Sequence, residues 1–584
     1  MKGILHIAGS TLALIVAGTG LAHAQAVPGA SMAYGNVDAA DDTAAATDGD
    51  GADPARKAYS PPGSGAGAGG KPRKRTRIVP YLEVDQSVYD QTEPRTPLVT
   101  YTTVAAGADV TIANRRTSGV ATIRYEHHFV EKGDLGNSDT VTGLVRTTTD
   151  IVPHTLAFDF GGLATRTSVG PTGGALLNPV DNVGSIYQVW SVYGGPSLST
   201  HAGIVGLKAG ADLGYNEIDQ LHTYVPASGG PKVDLFGHSL TGQANASAGV
   251  KPGEVLPFGV TLSAGYMRED ISDLDQRLID KHAGVQVMQP VSRTTALVGD
   301  IGWEKLTVSS RDALRDGLGN PLIAPNGQYV IDTTAPRKLA YRTDGLTWDV
   351  GVMWRPSRRT AAAAFIGRRY DSTTYYGTLN HSPDSRTTLS VAVIDGIYGF
   401  GSGLMTALQN LPTDFAIARD PFSGNVMGCV TGATGGGCVT GALASANAVA
   451  FRVHGANLAY SRTFGRMTVN VGGGWIARRL IAAQDTVLAS LDGALDQTWY
   501  VDAGLSGPIG RESHFYVNGF ASLYRTNQAA DADVGNWGVN GMVVHHLNDR
   551  LDATAAAEVI GVNRQIAPDL FEMLGQVGLR YNFR

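Results

Sequence analysis

Leu346-Thr347-Trp348-Asp349-Val350-Gly351-Val352-Met353-Trp354-Arg355 is the stretch that decides how the rest of this chain is read. Leu346, Trp348, Val350, Val352 and Trp354 take every second position, and Thr347, Asp349, Gly351, Met353 and Arg355 fill the places between. Side chains alternate across a β-strand, so the two sets face opposite ways. One face is wholly apolar and carries tryptophans near its ends, as in a strand that crosses a bilayer with aromatic residues at the lipid–water boundaries. The period recurs in His514–Arg525, where Phe515, Val517, Gly519, Ala521 and Leu523 oppose Tyr516, Asn518, Ser522 and Tyr524, with Phe520 the exception. In Met467–Ala477, Met467, Val469, Val471, Gly473 and Trp475 oppose Thr468 and Asn470.

From Ile78 onward the chain reads as a succession of such segments, each roughly 10 to 16 residues long, the length of tilted membrane strands. Short turns are expected near Leu198–His201, Pro356–Arg359, Ser382–Ser385, Phe464–Arg466 and Asn548–Arg550, with longer connections between them, the longest over 401–449. Counting crossings from a periplasmic start at Arg77 gives about 22 strands, within a range of about 18–24, and returns the C-terminus to the periplasm. The fold class is all-β, a transmembrane antiparallel up-and-down barrel over 78–584, located in the cell outer membrane. Composition agrees: 75 of 584 residues are Gly, 17% are charged, and mean hydropathy is −0.05.

Met1-Lys2, an uncharged stretch from Gly3 to Ala22 and the small-residue sites Ala22-His23-Ala24 and Ala24-Gln25-Ala26 predict a Sec-type signal peptide over 1–24, with cleavage after Ala24 favoured over Ala26. No uncharged apolar run of about 18 residues follows, so no transmembrane helix is expected. Residues 25–77, rich in Ala, Gly, Asp, Pro and Ser, predict a disordered periplasmic linker. Its Asp48-Gly-Asp50-Gly-Ala-Asp53 lacks the closing Glu of a calcium loop and reads as solvated chain. A net charge of −6 speaks against nucleic acid as a partner. Cys429 and Cys438, in a Gly-rich part of the longest connection, are candidates for a local disulfide on the extracellular side. Two thiols without nearby His do not make a zinc site.

The chain ends Gln576-Val577-Gly578-Leu579-Arg580-Tyr581-Asn582-Phe583-Arg584. Gln576, Gly578, Tyr581 and Phe583 match the pattern polar-x-Gly-x-x-aromatic-x-aromatic, which resembles the β-signal read by the barrel-assembly machinery. The resemblance implies that machinery as a partner during biogenesis. Arg584 departs from the usual terminal Phe. Trp354-Arg-Pro-Ser-Arg-Arg-Thr360, Gly367-Arg368-Arg369-Tyr370 and Ser382-Pro-Asp-Ser-Arg386-Thr together resemble large outer-membrane barrels associated with exopolysaccharide and exosortase-type systems. That resemblance implies outer-membrane lipid and a polysaccharide or small solute as partners, and brings no catalytic residue. TonB-type receptors share the strand number but carry a folded plug domain before the barrel, for which 25–77 is a poor candidate.

No enzyme is expected. Gly237-His238-Ser239-Leu240-Thr241-Gly242 departs from the nucleophile elbow at Thr241 and lacks the strand-turn-helix context. His127-His128 and His545-His546 are adjacent in strands and face opposite ways, so neither pair chelates one metal. No catalytic residue, metal or cofactor is assigned. Arg355, Arg358, Arg359, Arg368, Arg369, Arg386, Arg478 and Arg479 form the densest basic set. They read either as a lumen or rim wall that attracts anionic substrates or as headgroup contacts at strand ends. Two functions follow: a pore or export/uptake conduit, with the 401–449 connection folded inward as its constriction, or a structural or surface-interaction barrel with a filled lumen. Leu404, Met405, Leu408 and Leu411 give that connection the spacing of a short amphipathic helix, whose apolar stripe needs cover.

Overall fold

The computed structural model describes residues 75–584 except 134–135, 169–185, 221–235, 416–418, 426–428, 433–434, 440–442, 444–448, 528–532, 566–567 and 584. The expected signal peptide, and the expected linker as far as residue 74, lie outside the described residues.

Twenty-two strands form one closed antiparallel sheet. Each strand pairs with the next in sequence, and the last, Leu570–Asn582, closes on the first, Arg75–Glu93, with Tyr81 opposite Asn582 and Val88 opposite Gly575. The first strand starts ahead of the expected Ile78 because Arg75 to Arg77 continue its ladder with Ala113 to Thr111. Several strands outlast the bilayer: Lys338–Ser357 has 20 residues, against the roughly 9–11 that a tilted crossing needs. The surplus extends the wall beyond the long-loop end. One expected turn is misplaced. Leu198–His201 remains in strand Ile186–Ala202, and the chain reverses at Gly203, whose φ of +63° suits glycine.

Burial is inverted relative to a soluble protein. Leu346 is 68% exposed, Val350 52% and Trp354 45%, while Thr347 and Asp349 on the same strand are buried. In the first strand Leu82, Val84 and Val88 are exposed while Asp85 and Ser87 are buried, and Val577, Leu579 and Tyr581 of the last strand, with Phe583 just after it, are exposed. Arg124, Glu126, Arg146, Glu269, Glu304 and Glu558 are all buried. Charged side chains are rarely buried and apolar ones rarely line a whole outer surface in water. A closed barrel with lipid outside and a polar lumen requires this arrangement. The protein is an outer-membrane β-barrel.

Aromatic residues mark the edges of the apolar band. Toward the long-loop end Tyr125 Oη donates to Asp139 at 2.6 Å, Trp190 Nε1 to Asp219 at 3.0 Å and Trp303 Nε1 to Asp344 at 3.1 Å. At the turn end Trp354, Phe464 and Phe583 are exposed. Rings with an apolar body and a polar tip settle at such boundaries. His127 and His128 do separate, His127 toward Asp139 on the outside and His128 buried beside Glu126.

Candidate functional site: the loop inside the barrel

The connection between strands Thr387–Tyr398 and Ala450–Phe464 turns into the lumen and is fixed to the wall in three sectors. Its first part is helix α1 (Phe400–Gln409). The spacing expected from sequence closes one face, and Phe400, Leu404, Met405 and Leu408 are buried against Leu144, Leu163, Val189, Tyr193 and Ile218 of four wall strands. These lumenal apolar residues supply the cover that the helix needs.

Both ends of α1 meet a buried charge of the matching sign. The N–H groups of Gly401 and Ser402 donate to Glu269 Oε1 at 2.8 Å and Oε2 at 3.1 Å. At the other end the carbonyls of Leu411 and Gln409 accept from Arg146 Nε at 3.2 Å and Nη2 at 3.3 Å. A helix carries partial positive charge at its N-terminus and negative charge at its C-terminus, together with unpaired N–H and C=O groups. Glu269 lies on strand Gly259–Ile271 and Arg146 on strand Ser138–Val152, so the helix, about 15 Å long, is clamped between separate parts of the wall. Arg146 is held in turn by Asp159. Glycine makes the close approach at the N-terminal end possible: a Cβ at Gly401 would overlap Ser239 Oγ.

The second sector is reached by residues 419–425. Arg419 donates to Thr122 Oγ1 at 2.8 Å and Thr142 Oγ1 at 2.7 Å. Asp420 accepts from the N–H groups of Phe422 at 3.0 Å and Ser423 at 2.7 Å, and from Asn540 Nδ2 at 3.0 Å. Asn425 Oδ1 accepts from Thr165 Oγ1 at 3.2 Å. Phe422 fills an apolar recess among Tyr89, Val99, Tyr101, Val534 and Ile560. Burial pushes the Asp420 carboxyl above the usual carboxylate range, against the N–H donors that pull it down.

The third sector holds a hairpin, Cys429–Gly432 with Gly435–Cys438, closed by a disulfide between Cys429 and Cys438. Its position differs from the expected extracellular one. The disulfide lies within the barrel, where a Cβ on Gly472 would come 2.6 Å from Cys429 Sγ and from Asp502 Oδ1, and Gly436 N–H donates to Ser390 Oγ at 2.8 Å. A wall glycine leaves the room, which a reading of the loop alone does not reveal.

The eight arginines singled out from sequence do not form one wall: they divide between the rim, the outer face and the lumen. Arg355, Arg358, Arg359 and Arg386 are exposed at the turn end. Arg368 shares the outward face of its register partner Trp348, and Arg479 is exposed. Arg369 pairs with Glu304 and with Asp280, and Arg478 with Asp496 at 2.7 Å. Gln576 and Gly578 lie in the last strand, with Tyr581 and Phe583 exposed near its end. Ser239 is buried in the strand His238–Val250, with no elbow around it. Among the described residues, no group of three or more His, Cys, Asp or Glu is placed to hold a metal ion. Sequence reading missed Glu269 and Arg146. Both alternate onto the lumenal face of a strand, but nothing local tells them from other lumenal charges.

No family model matches the sequence, and no curated protein matches it. Among solved structures it is similar to the FrpB iron transporter from Neisseria meningitidis (F5-1 variant), at 11% identity and a TM-score of 0.41, over 86% of this chain and 82% of that one. It is also similar to the ferric-catecholate import receptor Fiu from E. coli K12, at 8% identity and a TM-score of 0.41, over 87% and 82% of the two chains. A third is the copper transporter OprC, at 11% identity and a TM-score of 0.34, over 86% and 80%.

Proposed function

We propose that this protein is a solute-uptake conduit whose lumen is closed by the 399–449 loop. The observation that carries the reading is the clamp on α1, because Glu269 and Arg146 hold a helix across a space that a barrel of about 22 strands leaves wide enough to need water or a plug. Release of the loop requires breaking these polar clamps together with the apolar packing of α1 and Phe422 on the wall. We propose no catalytic role for any residue. The solute class is small and neutral or cationic: buried carboxylates such as Glu126, Glu269, Glu304 and Glu558 outnumber buried guanidiniums. That balance disfavours acidic polysaccharide.

Single-channel recording in planar bilayers tests the reading. The intact protein should be nearly closed, and removal of residues 404–445 should open a clearly larger conductance. The depth of the loop's packing also suits a structural barrel with a permanently filled lumen. Equal conductance with and without the loop would favour that alternative.

A further inference from the structure

At the short-turn end, neighbouring hairpins bring six arginines into one arc: Arg355, Arg358, Arg359, Arg386, Arg462 and Arg466. The hairpins are tied directly to each other. Ser382 N–H donates to the Arg359 carbonyl at 2.8 Å, and Thr463 N–H to the Arg386 carbonyl at 2.8 Å. All six side chains are exposed. Several lumenal guanidiniums are matched with carboxylates, as in Arg124 with Glu83, Arg369 with Glu304, Arg478 with Asp496 and Arg580 with Asp109. Among the described residues none of the six has a carboxylate within 4.0 Å. The acid nearest in sequence, Asp384, directs Oδ1 to the backbone N–H of Arg386 at 2.7 Å.

The arc adjoins the edge of the apolar band. Arg355 follows Trp354, which is 45% exposed, and the Arg462 guanidinium lies 4.6 Å from the ring centroid of Phe464, which is 52% exposed. Arg462 and Phe464 are two residues apart in one strand, so they share the lipid-facing side. Cations without a carboxylate in ion-pair contact, set against exposed aromatic rings at a lipid boundary, have one complementary neighbour there. Guanidinium binds phosphate oxygens through paired N–H donors, and charged headgroups lie at the depth of the aromatic belt.

We propose that this arc binds the phosphates of anionic phospholipids in the leaflet that meets the turn end. Bound lipid then anchors one side of the barrel rim, the side formed by the hairpins at 355–359, 382–386 and 462–466. The proposal needs only the barrel in a membrane and stands apart from the transport reading.

The full chain, reconstituted in nanodiscs of phosphatidylcholine with a minor fraction of phosphatidylglycerol, should retain phosphatidylglycerol on gentle delipidation, as counted by native mass spectrometry. The expected preference over phosphatidylcholine is at least about tenfold, since each arginine near an anionic surface adds to the attraction. Replacing Arg355, Arg358, Arg359, Arg386 and Arg466 by Gln should abolish it, while replacement by Lys should keep part of it. Heat-modifiable migration on gels shows that each variant has folded. Equal retention of the two lipids overturns the proposal, as does a preference that survives the Gln substitutions. Inorganic phosphate at millimolar concentration should leave the lipid bound. Displacement would assign the arc to a soluble anion and overturn the lipid assignment.

Discussion

Replacing Glu269 by Gln should loosen α1 without disturbing the barrel. Glu269 is fully buried, and each of its oxygens accepts a backbone N–H from the first turn of the helix. Gln is nearly the same size but keeps one acceptor and turns an N–H2 group toward the other N–H. One charge-assisted hydrogen bond is lost, a donor is left facing a donor, and the negative charge at the positive end of the helix disappears. Together these cost about 2–4 kcal/mol. At about 1.4 kcal/mol per factor of ten, local opening of the helix becomes roughly 30- to 700-fold more frequent. Hydrogen exchange of the amides of residues 401–408 in lipid-reconstituted protein reads that opening directly. Exchange in wall strands such as Lys338–Ser357 should not change. Open probability in planar bilayers should rise in parallel if the helix is part of the gate. Unaltered protection at 401–408 in the E269Q protein would refute the clamp.

Arg146→Gln should fray the same helix from its other end, raising exchange at 408–411 before 401–404; the reverse order would contradict the assignment of the two clamps. Gly472→Val places a side chain where Cys429 Sγ now lies 2.6 Å from the ideal Cβ position, so residues 429–438 should become open to protease in the folded barrel, and continued resistance counts against the lumenal position. Replacing Cys429 and Cys438 by Ser removes a cross-link that contributes on the order of 2–3 kcal/mol in the chain-entropy model; free thiols in non-reduced peptides of the native protein would dispose of this prediction. Deleting Leu579–Arg584 removes the partners of Leu82 to Val84 across the closing seam, so the chain should lack the heat-modifiable folded band. Because burial raises the Asp420 carboxyl above its ordinary value of 3.8, its contribution to loop docking is complete below that value and is lost as pH rises through the folded-state value. Protection factors at 419–425 should therefore fall as pH rises above about 4, and a rise would show that the carboxylate form is the favoured one.

The sequence by itself determined the barrel. Alternation along Leu346–Arg355 and Met467–Ala477 depends only on the period of a strand, and turn residues with terminal polarity carried the count of crossings to the number observed. The amphipathic helix at Phe400–Gln409 was legible for the same reason, because a helical stripe is a local pattern. What covers that stripe was not legible. Leu144, Val189 and Ile218 are scattered along three strands and become one surface only when the sheet closes. The same holds for Glu269 and Arg146, whose meeting with the two ends of one helix depends on the curvature of the wall. The densest arginine set in the sequence was dispersed by closure to the rim, the outer face and the lumen, because neighbours in a strand point to opposite sides and neighbours in sequence leave on different hairpins. Closure also moved the disulfide. The loop dictates that its cysteines are near each other, but only the gap beside Gly472 places them inside the barrel. Local periodicity fixes which face a residue takes; the closed sheet alone fixes what it meets there.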